Sequence, residues 1–282
     1  MTVPTWYSDA PEPQPDIRGL TWVRVAVKGV VLATLVFGCL ALSLGLRLIE
    51  RPLHGDHRPW TPRITVFVCR NAFRVFGMGW RETGAQMPHH GALVANHVSW
   101  LDIFALNASG PLYFVSKAEV AGWPGIGWLA RATGTVFIRR ERREARTHRD
   151  HLRDRLDIGH RLLFFPEGTS TDGLRVLPFR PTLFAAATDS GAADYVQPVT
   201  LVYHAPPGER ADFYGWWGDM SYGGHLLRML AAGRHGRVEL IWHPPLATQG
   251  RDRKALARSA EQAVRAGLDG ALAHPSRLGE GG

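Results

Sequence analysis

The chain has 282 residues, 45% of them hydrophobic, which excludes a disordered protein and leaves room for one substantial α/β domain with an appendage. Its formal net charge of +8 suits an anionic membrane surface, an acidic substrate or carrier protein, or nucleic acid, and the distribution of charge has to choose among them. Only two cysteines occur, Cys39 and Cys69, both in apolar segments without metal or redox spacing; this speaks against a disulfide framework and places the main domain in a reducing compartment.

Residues 1–20, with Pro4, Pro11, Pro13 and Pro15, are expected to form a disordered arm. From Gly29 to Leu46, 18 residues carry no charge, and Lys28 and Arg47 bracket them. At ~1.5 Å per residue this run is roughly 27 Å long, just enough to span one bilayer or to lie deep in it. A cleaved signal peptide would have a shorter core nearer the start and a small-residue cleavage site, which Leu44 to Glu50 does not offer, so the segment is expected to be retained. Basic residues on both sides leave its orientation open. Pro62 to Trp80 is a weaker apolar stretch carrying Arg63, Arg70 and Arg74, suited to an interfacial helix with snorkelling arginines. Residues 21–84 together read as a membrane-seated helical hairpin.

After Gly84 short apolar runs alternate with helical patterns: Ala92–Ala95, Tyr113–Ser116, Thr135–Ile138, Arg161–Phe165, Val196–Tyr203 and Val238–Trp242. Such runs predict an α/β fold, a mixed sheet flanked by helices, over residues 85–275, with a flexible tail at 276–282. Glu141 to His160 reads as a charged surface helix with Leu152 and Leu156 inward, and Arg251 to Leu272 as a terminal helix.

Chemistry concentrates where two of these runs end. Ala92–Ala95 runs into Asn96-His97-Val98-Ser99-Trp100-Leu101-Asp102, so His97 lies beyond a strand end and Asp102 near the start of the next helix, where it can face back to the imidazole. An imidazole with a reference pKa of ~6.5 accepts a proton near neutrality, and a carboxylate beside it fixes the tautomer and stabilises the imidazolium. Alone, the pair also fits two capping residues. A second cluster follows Leu162–Phe165: Pro166 and Gly168 enforce a tight turn, Glu167 and Thr169 present polar groups, and the turn can aim backbone N–H groups at a developing oxyanion. The two clusters in this order point to one active site. A third run, Gly134 to Ile138, ends in Arg139 and Arg140, side chains suited to a forked grip on phosphate or carboxylate, whereas Arg142 and Arg143 fit a solvated helix face equally well.

Ser99 and Ser170 lack the flanking glycines of a hydrolase nucleophile, and Gly125-Ile126-Gly127 lacks the rest of a nucleotide fingerprint. His89-His90 and His148/His151 offer no fourth ligand at sensible spacing, so no metal is expected. Nucleic acid is not expected either, because the basic residues are spread among acids. Phe213 to Gly224 is aromatic and Gly-rich, fitting either an acyl-chain entrance or a packed aromatic loop.

In these residues the chain resembles the glycerolipid acyltransferase family, in particular the bacterial 1-acylglycerol-3-phosphate (lysophosphatidate) acyltransferases, over roughly Gly91 to Pro245. Asn96-His97-x4-Asp102 is similar to the first family motif, Gly134 to Arg140 to the second, Phe165-Pro166-Glu167-Gly168-Thr169 to the third and Val196-Gln197-Pro198-Val199 to the proline-centred fourth. The resemblance implies that His97, Asp102 and Glu167 are catalytic. It further implies that Asn96, Arg139, Arg140, Pro166, Gly168, Thr169 and Pro198 serve substrate binding. It implies transfer of an acyl chain from acyl-CoA or acyl carrier protein, with no bound cofactor, to a lysolipid hydroxyl at an anionic membrane. The catalytic domain is then expected on the cytoplasmic side of a bacterial inner membrane. The leading acceptor is 1-acylglycerol-3-phosphate, giving phosphatidate. Phosphatidate-forming members usually continue the third motif with arginine, whereas this chain has Ser170-Thr171-Asp172-Gly173, and with Trp216 to Met220 this departure resembles relatives that acylate lyso-ornithine lipid, whose amino-acid head has no phosphate. A catalytically silent membrane-binding protein is the more distant alternative.

Overall fold

The computed structural model describes residues 5–13, 17–89, 91–123, 126–138, 145–185 and 193–274, with the backbone alone over 145–149. Its strands are β1 (Gly79–Thr83), β2 (Gly91–Ala95), β3 (Tyr113–Lys117), β4 (Val136–Ile138), β5 (Leu162–Phe164), β6 (Tyr195–His204), β7 (Arg237–Trp242) and β8 (Leu246–Ala247). The helices are α1 (Thr21–His54), α2 (Thr61–Phe76), α3 (Leu101–Ser109), α4 (Ile126–Ala132), α5 (Ala145–Asp157), α6 (Tyr222–Ala231) and α7 (Arg253–Ala273). The strands form one sheet in the order β1-β7-β6-β2-β5-β3-β4, with β8 beside β6. Strands β6, β2, β5, β3 and β4 run parallel, and β7 with β1 runs against them, so the sheet is mixed as expected.

Side chains alternate between two cores, as the period of a strand requires. Leu93 and Ala95 of β2, Leu163 of β5, and Val199, Leu201 and Tyr203 of β6 join a core with Cys69, Ala72, Phe73 and Phe76 of α2, Leu101, Ala105 and Leu106 of α3, and Met229 of α6. Ala92 and Val94, Leu162 and Phe164, and Val196 and Val202 face the other side, packing on Leu152 and Leu156 of α5 and on Leu256, Ala260, Val264 and Leu268 of α7. The central strands are therefore buried on both faces, which is why they read as unbroken apolar runs.

Two expected boundaries shift. The second amphipathic stretch ends at Phe76, and Gly79–Thr83 is an edge strand paired with β7, so the catalytic sheet begins before residue 84. Cys69, Ala72, Phe73 and Phe76 fall at i, i+3, i+4 and i+7, a stripe that fits a protein core as well as a membrane interface, and here it covers the sheet. Exposed Arg70 donates from Nε to Ala108 O at 2.7 Å, at the end of α3. Residues 5–13, expected as part of a disordered arm, have no helix or strand but lie against the body. Trp6, Tyr7, Pro11 and Pro13 all make contacts there, because two aromatic anchors sit inside an otherwise Pro-rich, polar composition.

Helix α1 is the one helix among the described residues that is long and apolar enough to cross a membrane. It is clamped alongside α2. Buried Glu50 accepts from Trp60 N at 2.7 Å and Thr61 N at 3.0 Å, capping the start of α2. At the other end Lys28 Nζ donates to Phe76 O at 2.8 Å and to Ala232 O at 3.3 Å, and Arg24 donates to Ala231 O at 2.9 Å. Val30, Val31, Phe37, Leu42 and Leu44 of α1 stay exposed.

Candidate active site

Strands β2 and β5 are parallel neighbours with Val94 opposite Phe164, so their C-terminal ends share one edge of the sheet. His97 and Glu167 each follow that pair by three residues, which brings the two sequence clusters together. The His97 amide donates to Glu167 Oε1 at 2.8 Å, and Leu177 N donates to Glu167 Oε2 at 2.9 Å. Thr171 N in turn donates to His97 O at 3.0 Å. Glu167 is thus a brace between three loop segments. It is 2% exposed, and burial pushes its carboxyl up to about 8.

Asp102, in the first turn of α3 and fully buried, faces back as expected. His97 Nδ1 lies 2.7 Å from Asp102 Oδ2, which also accepts from Val98 N at 2.7 Å and Ser99 N at 3.1 Å. Tyr203 donates its hydroxyl to the other oxygen, Oδ1, at 2.8 Å. An oxygen that accepts two backbone N–H groups cannot also be a donor, so Nδ1 carries the imidazole hydrogen and Nε2 keeps a lone pair. The ring of His97 is stacked on Phe165, with centroids 4.1 Å apart and planes 13° apart, and its side chain is 21% exposed. The result is an oriented imidazole with a fixed tautomer, an accessible edge and a buried anion behind it, the arrangement of a general base.

The remaining sequence candidates fall into three groups. Pro166, Gly168 and Thr169 form the turn beyond β5; Gly168, at φ +77°, has a backbone that favours glycine, and its N–H closes the turn onto Phe165 O at 3.1 Å. That N–H is therefore spent inside the turn, and an oxyanion would need other donors. Asn96 follows the last residue of β2, and Pro198 lies within β6. The Asn96 amide bonds both ways to the backbone of Leu201, at 2.9 Å and 2.8 Å, and is 1% exposed, so it locks β2 to β6 directly behind His97. Pro198 pairs with Val94 on the central strand β6, at the point where β7 gives way to β8 and no ladder donor is needed; its carbonyl accepts from His243 N. Arg139, Arg140, Arg142 and Arg143 lie outside the described residues.

Two participants carry no mark of their role in the sequence, and a third was marked there with two alternatives. Tyr203 is 101 residues from Asp102, and nothing local marks it. Phe165 was legible as a strand end but not as a platform for the imidazole. The aromatic segment Phe213 to Gly224 forms the near wall: Phe213, Tyr214, Trp217 and Met220 are buried, Trp216 N donates to Val98 O at 2.9 Å, and the Ser170 hydroxyl donates to Trp216 O. Of its two readings, the packed loop describes these four residues, and Trp216 places that loop beside the His97–Asp102 pair.

The family model described as Acyltransferase matches residues 82–202, which contain β2, β5 and the residues around His97 and Glu167. The lyso-ornithine lipid O-acyltransferase of Rhodobacter capsulatus is 54% identical over 95% of this chain and 98% of that protein. A protein with the same description from Pseudomonas aeruginosa is 40% identical, over 84% of this chain and 92% of its own. The crystal structure of the 1-acyl-sn-glycerophosphate (LPA) acyltransferase PlsC from Thermotoga maritima has the same fold, with a TM-score of 0.63 at 22% identity over 90% of this chain and 95% of that one. Similarity that extends from end to end, and not over a borrowed segment alone, means that this chain belongs to the acyltransferase family.

Proposed function

We propose that the enzyme transfers an acyl chain from an acyl thioester to the free hydroxyl of lyso-ornithine lipid. The observation that carries the acceptor is the 54% identity to a lyso-ornithine lipid O-acyltransferase over nearly the whole of both chains, which supports the amino-acid head over the glycerophosphate one favoured by the sequence motifs. The chemistry rests on the oriented imidazole. His97 Nε2 takes the proton of the acceptor hydroxyl as its oxygen attacks the thioester carbonyl. The tetrahedral intermediate then collapses by breaking the C–S bond, and the imidazolium returns the proton to the departing sulfur. The buried Asp102 carboxylate stabilises the imidazolium in between. Glu167 and Asn96 act as positioning residues, and Arg139 and Arg140 remain proposed for the polar head of the acceptor. Acyl-CoA or acyl carrier protein serves as donor.

The bare apolar face of α1 supports seating at a membrane, with the positive balance favouring an anionic, cytoplasmic surface. Because α2 lies alongside α1 and carries exposed Arg63 and Arg74, both helices passing through the hydrocarbon core would be costly; a seat within one leaflet fits better. The test is transfer from labelled acyl-CoA to a panel of lysolipids by the wild type and His97→Ala. Transfer to lyso-ornithine lipid that vanishes in the folded variant is the expected result. Robust transfer by His97→Ala would remove the mechanism, and preference for lysophosphatidate would remove the acceptor.

A further inference from the structure

The N-terminal segment is laid against the two loops that flank His97 and Glu167. Trp6 N donates to Thr169 Oγ1 at 3.4 Å, and the Trp6 ring meets Trp217 edge-on at 5.9 Å. The guanidinium of Arg175 lies 5.1 Å from the Trp6 ring centroid, within cation–π range. Next along the chain, Tyr7 donates its hydroxyl to Asp219 Oδ2 at 3.0 Å. That hydrogen bond raises the Tyr7 hydroxyl above its usual range, so it stays the donor. Gly218 makes the approach possible: a Cβ there would lie 2.8 Å from the tyrosine ring, and its φ of +61° disfavours a side chain. Further back, Arg210 and Arg228 hold the carbonyls of Pro11 and Pro13.

This region borders the chemistry. Thr169 is two residues from Glu167, which holds the His97 amide, and the loop carrying Trp217 to Asp219 is tied through Trp216 to Val98 and to Ser170. Its charges are mixed. Arg175, with a side chain 53% exposed, is gripped through Nε and Nη2 by buried Asp172, and Asp219 is an exposed carboxylate. Adjacent strap residues, ~3.8 Å apart along the backbone, thus hold one cation and one anion beside the loops of the site. A phosphate head carries only negative charge and would meet Asp219 unfavourably. A zwitterionic amino-acid head presents a carboxylate and an ammonium, the complement of this pair.

We propose that the Trp6-Tyr7 strap, with Arg175 and Asp219, forms a subsite for a zwitterionic amino-acid head group, in which Asp219 receives the ammonium and Arg175 faces the carboxylate. The subsite rests on the lyso-ornithine reading of the acceptor and assigns its selectivity to residues outside the catalytic pair. Tyr7 fixes the Asp219 carboxylate, and Trp6 fixes the Arg175 guanidinium, so the strap is a wall of the site.

The experiment is a competition in vesicles, with the full-length enzyme, one acyl-CoA, and equal amounts of lyso-ornithine lipid and lysophosphatidate. The readout is the ratio of the two products, which does not depend on how much of a variant has folded. Asp219→Asn should lower the ornithine-to-phosphate ratio at least tenfold, Asp219→Lys should lower it further, and removal of residues 1–13 should lower it comparably, while the KM for acyl-CoA stays within twofold. A wild type that prefers lyso-ornithine lipid, with a ratio unmoved by Asp219→Asn or by the truncation, overturns the subsite and leaves the acceptor reading intact. Loss of both products in equal proportion also overturns it, because that is the signature of a merely structural strap. A wild type that prefers lysophosphatidate overturns both.

Discussion

Replacing Asp102 by asparagine isolates the charge of the proposed catalytic pair from its geometry. Oxygen Oδ2 accepts three N–H groups, from His97, Val98 and Ser99, so only the amide oxygen of an asparagine can occupy that place. The amide nitrogen must then take the place of Oδ1, opposite Tyr203, whose hydroxyl can turn from donor to acceptor. Every hydrogen bond survives, the tautomer of His97 included, and only the negative charge is lost. Its worth to a developing imidazolium, for charge centres ~4 Å apart and an effective dielectric constant of ~20, is about 4 kcal/mol. At ~1.4 kcal/mol per decade this is roughly a thousandfold in kcat. The assay is the initial rate of acyl transfer at saturating donor and acceptor, beside a thermal unfolding curve for the same preparation. A folded Asp102→Asn enzyme losing less than about tenfold would refute an electrostatic role for this carboxylate. Tyr203→Phe supplies an internal control: in that background the amide nitrogen has no acceptor, so Asp102→Asn should cost roughly a further 1–3 kcal/mol of stability.

Two further substitutions probe the frame around the base. Glu167, with its carboxyl held up to about 8 by burial, stays protonated in the folded chain while an exposed glutamate ionises near ~4.5. The folded state therefore binds more protons across this window, and the contribution of Glu167 to stability, full below about pH 4.5, falls by roughly 5 kcal/mol as pH rises through about 8. From pH 5 to pH 9 the unfolding temperature of the wild type should fall relative to that of Glu167→Gln, because the buried His160, His225 and His235, held below the usual histidine range, act alike in both chains; a gap that stays constant would contradict the assignment. Asn96→Ala leaves the Leu201 N–H and C=O without their buried partner and should cost roughly 2–4 kcal/mol, seen as an unfolding temperature lower by several degrees; no change would mean that the lock between β2 and β6 carries no load.

What the sequence revealed and what it hid follow from the range of the interactions. His97 and Glu167 were legible because each follows an apolar run that stops, and Asp102 because it opens the next helix; parallel neighbours β2 and β5 carry both stops to one edge. Leu152 and Leu156 were legible as an inward stripe because helical spacing is local. Tyr203, by contrast, follows seven buried strand residues in the middle of a core, and only the closing of β6 beside β2 delivers its hydroxyl to Asp102. Asn96 looks like a ligand in one dimension because a polar residue beside His97 has no visible partner; in three dimensions it belongs to Leu201. The role of α2 could not be read at all, because one amphipathic stripe serves a bilayer and a sheet alike. Residues 5–13 lie against the body because Trp6 and Tyr7 find partners there, which a Pro-rich composition does not reveal.

The clamp on α1 has a mechanical consequence. A cation near one end of the apolar run closes onto the last carbonyls of α2 and α6, and a carboxylate beyond its other end caps the first turn of α2. With the apolar face seated in lipid as proposed, such a helix is no swivelling tether. It is a keel, rigid with the hull, that fixes the height of His97 above the hydrocarbon. A hydroxyl would then be acylated according to how far its own lipid lifts it, so depth in the leaflet would sort acceptors before any head group is touched.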